Sequence, residues 1–285
     1  MKILVLGASG MAGHMVSLYF SEKGYEVTSL SRKPVSFLPG NIVGNILDFP
    51  YITELIYKND FDVIINCIGI LNQDAERNKS KAILINSYLP HFLVSLLNDT
   101  KTKLIHMSTD CVFAGNTGPY YETSLKDGRT FYDRSKALGE IETEGRHLTF
   151  RNSIIGPDIN NDGIGLFNWF MKQQGQINGY SKAMWTGVTT LTLAQAMEKA
   201  IQENLSGLYN LVNNQSISKY ELLNLFNSTF KNKKLEIIPE SSFSMDKSLV
   251  NTRSDFSFEV PSYQIMIEEM KGWVDDHKEL YNYFT

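Results

Sequence analysis

The sequence predicts an α/β fold, a doubly wound parallel sheet with a smaller C-terminal part packed against it. Three observations lead there. Short apolar runs alternate with stretches of helical periodicity through the first 157 residues. The first of these runs passes directly into a glycine-rich turn and a helix. After Gly156-Pro157 the alternation loosens into loops, amphipathic helices and one late strand. Strands that alternate with helices form βαβ units, and these assemble into parallel sheets covered on both faces.

Taken in order, Lys2-Ile3-Leu4-Val5-Leu6-Gly7 is a continuous apolar run, as a strand buried on both faces requires. Residues 11–24 follow as a helix closed by glycine. Strands are expected at 25–30, 61–67, 103–108 and 148–154, with a helix at 51–59. Residues 80–97 predict a longer helix with Pro90 as a kink or break. Another helical stretch starts near Tyr132 and runs to residue 144. Beyond the Asn160-Asn161-Asp162-Gly163 loop, helices are expected at 191–204, 218–230 and 263–281, with a strand at 207–212. The division expected is residues 1–157 as a nucleotide-binding domain and 158–285 as a substrate-binding part. The second gives a late strand and helix back to the sheet.

Composition removes several function classes. The 285 residues are 42% hydrophobic and 20% charged, which excludes disorder and coiled coil. Lysine and arginine total 27 against 31 acidic residues, a net charge of −4 that offers no basic field to nucleic acid. Cys67 and Cys111 lie in apolar stretches and read as small buried thiols in a reducing compartment. The longest apolar run, residues 61–71, is interrupted by Asp62 and Asn66, well short of the ~18 residues of a membrane span. The N-terminal run is broken by Gly7, Ser9, Gly10 and His14, unlike a signal peptide. A soluble cytoplasmic protein is expected.

Gly7-Ala8-Ser9-Gly10-Met11-Ala12-Gly13 is G-x-x-G-x-x-G between a strand and a helix. Glycines there permit a tight turn and let a pyrophosphate approach backbone N–H groups at the helix N-terminus. The sheet is therefore of Rossmann type and the ligand a dinucleotide. The second strand ends in Ser31-Arg32-Lys33 with no carboxylate for the ribose hydroxyls. Cations at that turn favour the 2′-phosphate of NADPH, with NADH as the alternative.

Tyr132 and Lys136 stand four residues apart, on one face of a helix. An ammonium beside a phenol favours the phenolate and readies it for proton exchange with a carbonyl oxygen. Thr109, at the end of a strand, is placed to hydrogen-bond an oxygen on which charge develops. Asn86 is a candidate to hold the water that relays protons to Lys136, the alternative being an ordinary helix-surface amide.

These motifs, with Val63-Ile64-Ile65-Asn66-Cys67, Ser108-Thr109-Asp110-Cys111-Val112-Phe113-Ala114-Gly115 and Tyr132-Asp133-Arg134-Ser135-Lys136-Ala137-Leu138-Gly139-Glu140, carry a family resemblance. The chain resembles the extended short-chain dehydrogenase/reductases, and among them the dTDP-4-dehydrorhamnose reductase family of nucleotide-sugar enzymes. The resemblance is close to about Pro157 and diffuse afterwards. It implies Thr109, Tyr132 and Lys136 as the catalytic trio. It also implies that Asn45 and Ile46 contact adenine, while Cys67, Ile68, Gly69 and Met107 line the cofactor groove. Substrate contacts are implied for Thr109, Asp110, Ile154, Trp185, Lys247 and Arg253, and a homodimer is expected.

Three departures stand out. Cys111 replaces a frequent tyrosine, Ile154 an aromatic residue that often reaches the sugar, and Met15 an acid tied to magnesium in some relatives. No metal is therefore expected. The activity expected is NADPH-dependent reduction of the 4-keto group of a nucleotide-linked 6-deoxyhexose. The alternatives are a UDP-2-acetamido-2,6-dideoxy-hexulose 4-reductase, an epimerase or dehydratase of the same superfamily, and a non-catalytic NADP-binding regulatory subunit. The last class includes relatives that partner methionine adenosyltransferase, and a binding module needs no proton donor.

Overall fold

The computed structural model describes residues 1–142 and 145–281. Seven strands form the central sheet: β1 (Lys2–Leu6), β2 (Glu26–Ser31), β3 (Asn41–Val43), β4 (Val63–Asn66), β5 (Lys103–Met107), β6 (Leu148–Arg151) and the late β10 (Gly207–Asn210). Their order is β10-β6-β5-β4-β1-β2-β3, and every pairing is parallel. The order reverses at β1, which lies between β2 and β4. A doubly wound sheet opens its ligand crevice at such a switch point, outside the carboxyl ends of the strands.

β1 shows why the sheet is covered on both faces. Ile3 and Val5 join Met15, Val16 and Phe20 of the Met11–Glu22 helix in one core. Leu4 and Leu6 point the other way, to Ile52, Ile56, Leu89 and Leu93 in a second core. Alternate residues of one apolar run thus feed two layers of helix. Met15, standing where an acid was weighed as a magnesium ligand, is fully buried in the first core.

The remaining strands build the C-terminal part. β11 (Ile217–Ser218), β8 (Gln176–Trp185) and β12 (Glu236–Asp246) make a three-stranded sheet, and β7 (Ser153–Ile155) pairs with β9 (Gly187–Thr189). The run expected as one strand over 148–154 is therefore two, and the second leaves the central sheet at Asn152. Among the described residues no helix is long and apolar enough to cross a membrane.

Three helices depart from expectation. Residues 80–97 comprise a short α-helix (Lys79–Ala82), a π-helix (Ile83–Tyr88) and a second α-helix (Leu89–Leu97). The three segments run on without a break in helical dihedrals, and Pro90, which lacks an N–H for the turn before it, stands where the π-turn gives way to the second α-helix. The helix bearing Tyr132 ends at Leu138, capped by Gly139, and residue 144 lies outside the described residues. A Cβ at residue 139 would fall 1.9 Å from the Asn86 carbonyl oxygen, so glycine lets this helix end lie against the π-helix. The tail helix stops at Asp276, and a 3₁₀ turn, Lys278–Leu280, follows.

Beneath the site lies a fully buried ion pair. Arg151 of β6 holds Glu140 with Nε and Nη2 at 2.8 and 2.7 Å, and Ser108 donates to the same carboxylate at 2.6 Å. Burial alone would raise the Glu140 pKa, but Arg151, Ser108 and Lys126 bring it below the usual range. The carboxyl end of β5 is thereby fixed to β6 and to the end of the Tyr132 helix.

Candidate active site

The glycine loop is shaped by close approach. Gly7 has φ +80°, and a Cβ there would meet Ile68 at 2.7 Å. A Cβ on Gly13 would fall 2.2 Å from the Gly7 carbonyl oxygen, so the helix can close on the turn only with glycine. The turn is pinned to β2 by the N–H groups of Gly7 and Ala8, which donate to Leu30. Gly10 caps the helix without a side chain, and its first turn carries no acid. A helix N-terminus whose first turn holds no carboxylate of its own is the form an anion site takes.

This loop lines a cavity of about 970 Å³, within the range of small-molecule and cofactor sites. Gly7, Ser9, Gly10, Ser31, Arg32, Asn45, Ile46, Cys67, Ile68 and Gly69, all singled out from sequence, line it. The others do not. Ala12 and Gly13 are buried behind the turn, and Met11 sits beside Gly165. Lys33 is exposed outside the cavity, and its carbonyl accepts the Ser31 hydroxyl at 2.6 Å. That leaves Arg32 as the cation of this turn on the cavity wall. On the opposite lip, Asn160 donates to the Ser9 carbonyl at 3.1 Å, with Asp158 and Asp162 also lining the cavity. The sequence marked this stretch only as a loop.

Tyr132, Thr109 and Lys136 converge next to that cavity. The helix Phe131–Leu138 is started by a capping box between Thr130 and Asp133. Thr109, capping the short turn after β5, accepts the Cys111 N–H at 3.1 Å and donates to Asp110 Oδ1 at 3.1 Å, and its hydroxyl bears on the Tyr132 phenol. Tyr132 packs with Ile70 and Cys111, and Ile70 also lines the cavity. Burial pushes the phenol pKa up, with Cys111 adding and Thr109 opposing. This runs against the expectation that the Lys136 charge lowers the phenol: removal from water sets the direction. Lys136 is buried and donates to the Met107 carbonyl at 2.6 Å. Burial lowers its ammonium to about 8 against the pull of Glu140 and Cys67. The Cys67 and Cys111 thiols are both pushed up to about 12 by burial, so they stay protonated.

Asn86 is fully buried, and its amide is committed to protein. Oδ1 accepts the Ile70 N–H at 2.8 Å, while Nδ2 donates to the Ile70 carbonyl and to Ser135 Oγ at 2.9 and 3.0 Å. Both amide hydrogens are used. The expectation of a water-holding side chain gives way to a clamp between the cavity wall and the Tyr132 helix.

The C-terminal part supplies Trp185, buried at the end of β8, with Tyr263 against its ring. Lys219 Nζ lies 5.0 Å from the Trp185 ring centroid. Burial raises the Asp110 pKa, opposed first by Lys219 and then by Lys247, so both ammonium groups bear on the strip after Thr109. Lys219 was not anticipated. Its one signal was the capping box Ser218-Lys219-Tyr220-Glu221, which marks a helix start without saying what it faces. Arg253 is the reverse case. It donates to the carbonyls of Ser206 and Leu208 and pairs with Asp255 at 2.5 Å, so it braces β10. Ile154 is half-buried against the main core.

Comparison with known proteins bears on the family and the fold. The family model described as RmlD substrate binding domain matches residues 1–257. The probable low-salt glycan biosynthesis reductase Agl14 of Haloferax volcanii is 33% identical over 144 residues, 49% of this chain and 48% of that protein. A dTDP-4-dehydrorhamnose reductase of Streptomyces griseus is 31% identical over 139 residues, 48% of this chain and 43% of that one. The chain thus spans about half the length of the curated relatives it matches. Among solved structures, dTDP-4-dehydrorhamnose reductase from Bacillus anthracis in complex with NADP superposes with a TM-score of 0.79 at 19% identity. That match covers 95% of this chain and 99% of the other. At that identity the likeness is one of fold.

Proposed function

Because this chain belongs to the RmlD substrate binding domain family of extended short-chain dehydrogenase/reductases, we propose that it reduces the 4-keto group of a nucleotide-linked 6-deoxyhexose with NADPH. One observation carries the reading: Thr109 and Tyr132, with Lys136 one helical turn on, adjoin a dinucleotide-sized cavity. A binding module needs the cavity; an enzyme that moves hydride to or from a carbonyl carbon also needs the proton donor.

The glycine loop fits a pyrophosphate, since its shape depends on missing Cβ atoms and its helix start carries no acid. Arg32 is placed to hold the 2′-phosphate, and Asn45 and Ile46 the adenine. Bound there, NADPH supplies a hydride to the carbonyl carbon. Tyr132, kept protonated by its burial, gives its proton to the carbonyl oxygen as charge grows there, so that a ketone becomes an alcohol. Thr109 hydrogen-bonds the same oxygen. Lys136 contributes positive charge beside the nicotinamide ribose, and Asn86 keeps Ile70 and the Tyr132 helix in place. Trp185 offers a face to the hexose, with Lys219 and Lys247 as cations for the diphosphate.

Cys111 and Ile154, both smaller than the side chains frequent at these positions, widen the sugar pocket. They favour keeping a UDP-linked 2-acetamido sugar as the second substrate reading. Oxidation of NADPH followed at 340 nm with a panel of dTDP- and UDP-linked 4-keto sugars tests both. Turnover of one class identifies it. Tight NADPH binding with no turnover of any sugar would instead support a regulatory subunit.

A further inference from the structure

His106 is a fully buried imidazole in the middle of β5, and the mechanism above leaves it unused. Its ring lies between two polar side chains. Asn66 Nδ2 is 3.2 Å from Nδ1, and Lys136 Nζ is 3.5 Å from Nε2. Asn66 is itself fully buried, and its orientation is fixed from outside the pair. Its Oδ1 accepts the backbone N–H of Ile68 at 3.1 Å, and a backbone N–H can only donate. The amide therefore turns Nδ2 toward His106. An NH₂ group is also only a donor, so Nδ1 must accept and the single proton of the neutral ring sits on Nε2. Nε2–H then faces Lys136.

We propose that His106 is a positioning residue for Lys136: Asn66 locks its ring as the Nε2–H tautomer, and the N–H held against Nζ favours the amine over the ammonium. An ammonium has no lone pair for that donor, whereas an amine has one. The ring cannot relieve the conflict by taking up a proton, since burial and the nearby Lys136 and His91 hold its pKa well below the ordinary value. The other titratable groups around Lys136 are Glu140 and Cys67, with the Tyr132 phenol on the same helix; Glu140 first and then Cys67 favour the charged form. The Met107 carbonyl accepts from Nζ in either state. Asn66 and His106 thereby set the pH at which Lys136 loses its charge, and so where the alkaline side of turnover falls. The consequence for turnover rests on the proposed reductase activity, while the tautomer and the lysine titration do not.

Both are read by NMR on the whole chain without any sugar. Two-bond ¹H–¹⁵N correlation of ¹⁵N-histidine protein, with His106 assigned by its loss in His106→Phe, is expected to show Nε2–H from pH 6 to 9. An Nδ1–H tautomer or a charged ring would overturn the proposal with no variant needed. In Asn66→Asp the carboxylate still accepts from Ile68 but now accepts from Nδ1–H as well, so the tautomer reverses. The ¹⁵Nζ titration of Lys136, assigned by Lys136→Arg, should then move up by at least one pH unit, a tenfold change in acidity. The same shift for Asn66→Asp in a His106→Phe background would assign the effect to the added charge and defeat the proposal. If the tautomer reverses as stated but no sugar is reduced, only the reductase reading fails.

Discussion

One side-chain amide, that of Asn86, spans both backbone polar groups of Ile70, accepting its N–H at 2.8 Å and donating to its carbonyl at 2.9 Å. A third bond, to Ser135 Oγ, joins this pair to the helix that carries Tyr132 and Lys136. In Asn86→Ala the buried Ser135 hydroxyl and both backbone groups of the half-buried Ile70 lose their bond. The expected loss is about 1–3 kcal/mol of stability, measured as a lower urea midpoint with an unchanged slope. A midpoint equal to that of the parent would show that the clamp is dispensable.

Tyr132→Phe removes the phenolic proton and keeps the ring that packs with Ile70 and Cys111. NADPH affinity should stay within a few-fold, while kcat falls by roughly 10²–10⁴. Fluorescence titration of the cofactor and steady-state rates on the same preparation separate the two. Turnover at the parental rate would remove Tyr132 from the mechanism.

Arg32 is the cation on the cavity wall at the end of β2, since Lys33 does not line the cavity. Arg32→Ala should weaken NADPH by about tenfold or more and leave NADH nearly unchanged, because only NADPH carries the phosphate that a guanidinium grips with two bonds. Parallel titrations with the two cofactors decide it. Equal weakening of both would return Arg32 to a general surface role.

The His14 ring is buried between the Gly10 carbonyl, 3.0 Å from Nδ1, and the Tyr281 hydroxyl, 2.8 Å from Nε2. Burial lowers its pKa from 6.5 to about 4, with Gly10 and Asp158 opposing and His277 assisting. The folded chain therefore keeps this ring neutral, while the unfolded chain protonates it below about pH 6.5. The stability it contributes is complete above that pH and declines as pH falls toward 4, by up to about 3 kcal/mol. Denaturant titrations between pH 7 and 4.5 should be steeper in pH for the parent than for His14→Phe. Equal slopes would mean that other groups set the acid sensitivity.

Much of the site was legible because it is encoded in local pattern. The glycine loop, the Tyr132–Lys136 spacing and Thr109 at a strand end each depend on a few adjacent residues and on the conformations those residues allow. Hydrogen-bond partners were less legible. Lys219 and Arg253 are both lysine or arginine near turns of the C-terminal part. One lies against the Trp185 face and the other under the carbonyls of Ser206 and Leu208, and no neighbouring residue announces which.

The sequence alone determined the alternation that makes the parallel sheet, the two-sided burial of β1, the turn that only glycine can make, and the helix that presents phenol and ammonium on one face. These follow from backbone sterics and hydrophobic periodicity, which act over a few residues. The tertiary structure decided that Asn86 clamps Ile70, that His106 stands between Asn66 and Lys136, and that burial raises the Tyr132 phenol. Each of these depends on groups distant in sequence meeting where water is excluded. There, the cost of an unpaired polar group fixes partners that composition and spacing leave open.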